Sequence, residues 1–338
     1  MAHQISSVPD AHENGINKIR DKGSDLLHDS RIANTSETGT HLPGDNRRLY
    51  KVCWDDMTEL EDPEKYRAGG FHPVNIDTYL DLEERFEVHH KLGYGHYGTV
   101  WACFDTKKED WVAIKILQHR DSNENCPELR LLEQLAGISV EELEENHIFL
   151  AREYFWLSGP NGRHLCLVNP LLGPSIRDVE DVGLHTPELL TDICFQICKA
   201  ISFLHSKGIC HGDISPGNIL FQLDQEAIME DELSGRQLER YLGEVLAFDL
   251  ATTWGGTTAP YGPEKLYLRG STEQLEQKYR TGKIAIIDFG LSYLSKDDPN
   301  EGLDFQISYA APELLTTTGH GGPSTDVWAL AATLFEIR

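Results

Sequence analysis

The sequence predicts an α+β protein in two lobes, a small antiparallel sheet followed by a mostly helical part. Three observations carry that reading. Phe86–Leu92, Val100–Phe104 and Trp111–Leu117 are β-type apolar runs, separated by a glycine turn and by the charged turn Lys107–Asp110. Leu190, Ile193, Ile197, Ile201 and Leu204 recur at steps of 3, 4, 4 and 3, the stripe of an amphipathic helix. A second, strongly apolar helix opens at Ser324-Thr325-Asp326 and runs to Arg338.

In chain order, residues 1–50 are polar, mixed in charge and poor in aromatics, which predicts a disordered tail because too little apolar surface is available to bury. Over 51–85, Trp54, Tyr66, Phe71 and Tyr79 stand among acidic residues, and an extension packing on the folded body is expected. The sheet lobe spans 86–170. Within it, Cys126–Leu135 has apolar residues Leu129, Leu132 and Leu135 at helical spacing with Pro127 near its start, a good first-turn residue. Phe149–Leu157 and His164–Val168 read as two more strands joined at Gly159–Gly162, and Asn169–Gly173 breaks the pattern as a hinge between lobes.

The helical lobe spans 171–338. Thr186-Pro187 begins its long helix and Lys207-Gly208 closes it. After Asn218–Phe221, a Glu-, Gln- and Gly-rich stretch from Gln222 to Gly282 separates two segments that a tight hairpin would otherwise join. It is an insertion, partly helical around Leu238–Leu246, with no chemistry of its own.

Composition narrows the function. Lys plus Arg number 30 against 55 Asp plus Glu, a net charge of −25, which argues against a nucleic-acid-binding surface and permits a basic partner. The seven cysteines (Cys53, Cys103, Cys126, Cys166, Cys194, Cys198, Cys210) form no C-x-x-C pair and no regular spacing, so neither a zinc site nor a disulfide framework is indicated. Reduced thiols in the cytoplasm or nucleus fit best. No basic-then-apolar leader opens the chain and no apolar run approaches the roughly 18 residues of a membrane span, so no membrane or secretory address is expected.

Chemistry concentrates in His211-Gly212-Asp213-Ile214-Ser215-Pro216-Gly217-Asn218, answered downstream by Ile286-Ile287-Asp288-Phe289-Gly290. An Asp and an Asn five apart, with a second Asp after a β-type run, suit phosphoryl transfer from a metal-nucleotide. One carboxylate orients the accepting hydroxyl; the amide oxygen and the other carboxylate hold Mg²⁺ against the phosphates.

The glycine turn is Gly93-Tyr94-Gly95-His96-Tyr97-Gly98-Thr99-Val100. Glycines at this spacing let backbone amides close over phosphates without Cβ obstruction. A dinucleotide-binding turn shares the pattern, but it opens a helix, whereas here an apolar strand follows. Val112-Ala113-Ile114-Lys115 then puts an ammonium on the next strand, facing the phosphates. Glu128, on the first turn of the following helix, can reach Lys115; Glu133, one turn on, is the rival, and Glu128 is preferred.

Together these motifs, with Tyr309-Ala310-Ala311-Pro312-Glu313 and the apolar helix from Ser324, resemble those of eukaryotic protein kinases from about residue 86 to 338. Glu64–Val74, Lys91–Trp101 and the insertion after Phe221 resemble more narrowly the SR-protein-specific kinases, especially fungal ones. The resemblance implies a two-lobed protein-kinase-like fold and an ATP- and Mg²⁺-dependent serine/threonine kinase acting on basic Arg/Ser-rich splicing factors, expected as a monomer. By carry-over, Asp213 is the base or hydroxyl-orienting residue, Asn218 and Asp288 ligate Mg²⁺, and Lys115 contacts the α and β phosphates. Leu92, Gly93, Gly95, Gly98, Val100, Ala113 and Lys115 would hold the nucleotide, Asn169–Gly173 would contact the adenine, His211 would pack near Phe289, and Asp326 would bind catalytic-loop amides from below.

Three departures stand out. Gly212 replaces the arginine that many kinases use to hold a phosphorylated activation loop. Ser215 stands where most serine/threonine kinases keep a lysine near the γ-phosphate, so a transition-state charge is lost. Helices implied after Arg338 are missing, so the helical lobe is expected to be incomplete, cut off in its central helix, with Glu313 lacking its arginine and apolar surface exposed. Two other classes share parts of the pattern. The aminoglycoside and choline phosphotransferases carry the His-Asp-Asn and Asp set but usually lack the glycine hairpin and the A-P-E segment. A truncated pseudokinase would bind nucleotide or a partner without turnover.

Overall fold

The computed structural model describes residues 17–18, 50–51, 59–81, 83–177, 186–224, 227–228, 241–252, 261–271, 279–296, 306–315 and 321–337. Most of the 1–50 tail, Trp54, and residues 238–240 of the helix expected around Leu238–Leu246 lie outside these residues. Asn17–Lys18 is described, as two residues parallel to the strand at Glu153–Tyr154, where the composition predicts disorder.

The first lobe is built from β1 (Phe86–Tyr94), β2 (Gly98–Asp105), β3 (Asp110–Leu117), α1 (Pro127–Gln134), α2 (Val140–Glu145), β4 (Glu153–Gly159) and β5 (Gly162–Pro170). The order across the sheet is β4-β5-β3-β2-β1, antiparallel throughout, with Asn17–Lys18 beside β4. Period-two patterning drives it: Phe86, Val88, Trp101, Ile114, Phe155 and Cys166 point to one buried face, where each large apolar side chain contributes about 1.5–3 kcal/mol. β5 runs into the stretch Asn169–Gly173 expected as a hinge, since Asn169 and Pro170 still pair with Ala113 and Val112. Residues 149–152 precede β4 and are not strand.

The extension covers this sheet. Val74 and Leu80 pack on the Phe86–Phe155 core, while Leu60, Tyr66 and Phe71 pack with Leu250 and Leu266 of the insertion. Glu61 forms a fully buried ion pair with Lys91 of β1 and accepts from the Tyr66 hydroxyl at 2.6 Å. Arg85 joins β2 to β4, its guanidinium 2.5 Å from Asp105 and 2.8 Å from Glu153.

The second lobe contains α3 (Pro187–Ser206), β6 (Ile219–Leu223), β9 (Arg280–Ile286) and α4 (Pro323–Glu336); the insertion between β6 and β9 carries β7 (Ala247–Asp249) and β8 (Lys265–Tyr267), whose Leu266 and Tyr267 pack on the extension and the first sheet. Thr186 caps α3, its hydroxyl accepting from Leu189 N, and Pro187 occupies the first turn. Ile193, Ile197, Ile201 and Leu204 of the α3 stripe are buried against Ile219, Ile284 and Ile286; Leu190 is only half-buried. β6 and β9 form an antiparallel pair with Ile219 opposite Ile286. That pairing reaches Leu223 and Arg280, so the insertion is narrower at both ends than 222–282: the hairpin keeps its own last residues. Where helix is expected, the described residues 243–246 are irregular and lead into β7, which pairs with β8. Among the described residues, no helix is long and apolar enough to cross a membrane. Val327, Trp328 and Phe335 of α4 are exposed, Phe335 at 86%.

Candidate active site

A cleft of about 630 Å³ opens between the two lobes. Its roof is the β1–β2 hairpin, where Gly95 N donates to Gly98 O at 2.9 Å. Gly98 is demanded by packing, because a Cβ there would lie 2.2 Å from Ile116 O on β3. Gly93 and Gly95 have open space around them, so the sheet does not explain them. Leu92, Val100 and Ala113 line the cleft with these glycines, opposite Leu220 of β6. Asn169, Pro170, Leu172 and Gly173 complete the wall at the hinge.

Lys115 projects from β3 to two carboxylates, Asp288 at 2.6 Å and Glu128 at 3.2 Å. Burial works against its charge, but the Asp288 and Glu128 carboxylates outweigh burial and raise its pKa. Glu133, the rival partner, is exposed on α1. Sequence spacing leaves the two glutamates open; the rotation of α1 selects the one on its inner face.

The loop at 211–218 is held from several sides. His211 N and Gly212 N donate to the Asp326 carboxylate at 2.7 and 3.0 Å, and His205 Nε2 lies 2.9 Å from the same group. His211 packs on Phe289 with ring centroids 4.8 Å apart, and its Nε2 lies 3.0 Å from Ile287 O. Cys210 adjoins His205 and Asp326, a trio with metal-ligand chemistry, but the Asp326 oxygens are already committed to the two amides and to His205. Gly212 has φ +81°, and a Cβ would sit 2.3 Å from Leu291 O. The arginine found at this place in many kinases is therefore excluded by the backbone.

Asn218 Nδ2 donates to both the backbone O and the Oδ2 of Asp213, each at 2.8 Å, while Ile287 N donates to Asn218 O at 3.0 Å. These contacts tie together 213, 218 and the strand leading to Asp288. Asp288 adopts φ +61°, a region that Asp tolerates better than most residues. Its carboxyl is held below the usual range: burial pushes it up, and Lys115 more than reverses that. Asp213 shifts the other way, raised first by burial, with the Asn218 hydrogen bond acting against it. The donor set suits a hard cation, since Asn218 offers an amide oxygen and Asp288 a carboxylate on the wall of one cleft.

Every expected nucleotide and metal residue except the buried Leu171 of the hinge thus borders one space, and Asp213 stands beside it, hydrogen-bonded to Asn218. Sequence reasoning missed two contributors. Arg269, Gly270 and Ser271 of the insertion line the cleft mouth, because Gly270 N donates to Lys91 O at 2.7 Å along the edge of the sheet. Gln306 lies beside Asp213, its Nε2 3.3 Å from Oδ1. Neither carries a sequence signal; only packing reveals them.

Comparison with known proteins agrees with this geometry. Residues 86–232 match the protein kinase domain family. The chain is 34% identical over 180 residues to the serine/threonine-protein kinase spk-1 of Caenorhabditis briggsae (51% of this chain, 16% of that protein). It is 32% identical over 181 residues to the protein kinase dsk1 of Schizosaccharomyces pombe (52% and 33%) and 34% over 179 residues to human SRSF protein kinase 3 (51% and 31%). The chain therefore spans a third or less of the length of these relatives. The crystal structure of a kinase domain aligns with TM-score 0.50 and 22% identity over 79% of this chain and 67% of that one, a likeness of fold. Residues 86–232 are thus similar to protein kinase domains, and the chain resembles the SR-protein kinases.

Proposed function

We propose that this protein transfers the γ-phosphoryl group of ATP to serine or threonine hydroxyls of protein substrates, and that those substrates are basic Arg/Ser-rich segments of splicing factors. The observation that carries the reading is the convergence of Lys115, Asn218 and Asp288 on one cleft under a glycine hairpin, with Asp213 held beside it by its hydrogen bond from Asn218. Asp213 orients the accepting hydroxyl and takes its proton. Lys115, aligned by Glu128, leaves Asp288 for the α and β phosphates when nucleotide enters. Leu92, Val100, Ala113 and Leu220 sandwich an aromatic base. Asn218 and Asp288 would hold Mg²⁺, which would supply neutralising charge at the phosphates.

The net charge of −25 favours encounter with a basic segment, and a relative is named for SRSF proteins. We place the protein in the cytoplasm or nucleus, acting as a monomer, in keeping with the free thiols of Cys103, Cys126, Cys166 and Cys210. The test is incorporation of labelled phosphate from ATP into an Arg/Ser-repeat peptide by the wild type and by Asp213→Asn. A loss of about 10²–10⁴-fold is expected, the size of a general-base contribution. Equal incorporation by both proteins would remove Asp213 from the mechanism.

A further inference from the structure

Asp213 receives side-chain amides on both carboxylate oxygens. Asn218 Nδ2 donates to Oδ2 at 2.8 Å, and Gln306 Nε2 lies 3.3 Å from Oδ1. The same Gln306 nitrogen is 3.5 Å from the hydroxyl of Ser215, which is buried and stands where most serine/threonine kinases keep a lysine. Gln306 reaches this place from a segment 93 residues away in sequence. Its backbone is anchored: Tyr309 N donates to Gln306 O at 3.0 Å, Tyr309 is buried in the second-lobe core, and the Tyr309 hydroxyl donates to Glu336 of α4 at 2.5 Å. The side chain itself is exposed, so no packing demand fixes its identity. A glutamine amide has two N–H donors and can serve two oxygens at once.

We propose that Gln306 is a positioning residue for phosphoryl transfer, its side-chain amide bridging Asp213 and Ser215 so that the carboxylate is held toward the acceptor in the absence of a catalytic-loop lysine. The proposal rests on the kinase reading above. In the step it serves, the acceptor oxygen forms a bond to the γ-phosphorus while the bond from that phosphorus to the β–γ bridging oxygen breaks. ADP leaves with the electron pair, and the acceptor proton passes to Asp213. A carboxylate free to rotate about χ2 would spend less time with an oxygen facing that proton. Two amides on its two oxygens fix the plane, and the neutral donor gives part of the polar stabilisation that an ammonium would give.

The experiment measures kcat, and KM for ATP and for an Arg/Ser-repeat peptide, in wild type, Gln306→Ala, Gln306→Glu and Gln306→Lys, with nucleotide affinity from equilibrium binding. Because residue 306 is exposed, all three variants should fold, and equal melting temperatures check this. Expected is a fall in kcat of about tenfold or more for Gln306→Ala, towards the 10²-fold typical of a removed donor, with both KM values and the nucleotide Kd within twofold. Gln306→Glu, which sets a second carboxylate against Asp213, falls further. Gln306→Lys, which restores a donor, stays near wild type. A kcat unchanged in Gln306→Ala, a loss expressed only in peptide KM, or Glu and Lys variants that behave alike would each overturn the proposal. Wild-type protein that binds nucleotide but labels no peptide would overturn the kinase reading instead.

Discussion

Removing Glu61 strands a charge. Lys91 is 0% exposed and Glu61 1%, so the ammonium of β1 has no route to water and relies on that carboxylate, with the rings of Trp101 and Tyr94 at 5.6 and 5.3 Å as its other company. Burial already lowers the Lys91 pKa, and Glu61 acts against that. Glu61→Ala deletes the counter-charge and leaves the Tyr66 hydroxyl without its acceptor. Breaking a buried pair at one end costs about 3–5 kcal/mol. For a domain of this size that is a fall in melting temperature of roughly 6–20 °C. Replacing both ends, Glu61→Ala with Lys91→Met, removes the stranded charge and should recover most of the loss. Urea unfolding followed by tryptophan fluorescence is the assay, with Trp101 reporting from beside the pair. Nucleotide affinity of Glu61→Ala should fall as well, because Lys91 directly precedes Leu92 and Gly93 of the cleft roof. A single variant within 1 kcal/mol of wild type, or a double variant no better than the single, would show that water or another group compensates the ammonium and that the pair does not pin the extension.

Three further outcomes are expected. Asp326→Asn keeps one acceptor oxygen where the carboxylate now serves His211 N, Gly212 N and His205, so a loss of about 2–4 kcal/mol in unfolding stability should accompany a lower turnover rate. Gly212→Ala, and equally Gly212→Arg, must adopt φ +81° and meet Leu291 O at 2.3 Å; a cost of at least about 1–3 kcal/mol by denaturant titration is expected, and no gain of control by loop phosphorylation. His72 is pushed down to about 3 by burial and by neighbouring His164. As pH falls below the ordinary 6.5, the unfolded chain binds a proton that the folded chain refuses, so stability declines from pH 6.5 towards 3. His72→Phe should flatten that decline in melting scans.

Much of this was legible in the sequence because it depends on local order. Strands β1 to β3 follow from alternation, α3 from a 3.6-residue stripe, and the glycine hairpin from a spacing that sheet packing enforces at Gly98. The candidate site on this loop was legible because its residue types stand at short separation: Asp213 and Asn218 sit on one loop, and their mutual hydrogen bonds need only that loop. Errors arose where long-range pairing overrides local pattern. The insertion was drawn too wide because Gln222–Leu223 and Arg280–Gly282 look polar in isolation, although β6 and β9 pair through them. The helix expected near Leu238–Leu246 gives way after Leu242 because 247–249 finds a strand partner in Lys265–Tyr267.

By itself the sequence determined the chemistry available, that is, which oxygens, amines and glycines the chain possesses and on which elements they ride, since those facts are fixed by composition and by periodicities of two and 3.6. Only the tertiary structure decided that Glu128 and not Glu133 meets Lys115, that Gln306 stands against Asp213, and that the insertion closes the mouth of the cleft. Each of those contacts joins residues whose separation along the chain says nothing of their distance in space; helix rotation and the packing of one segment on another set that distance.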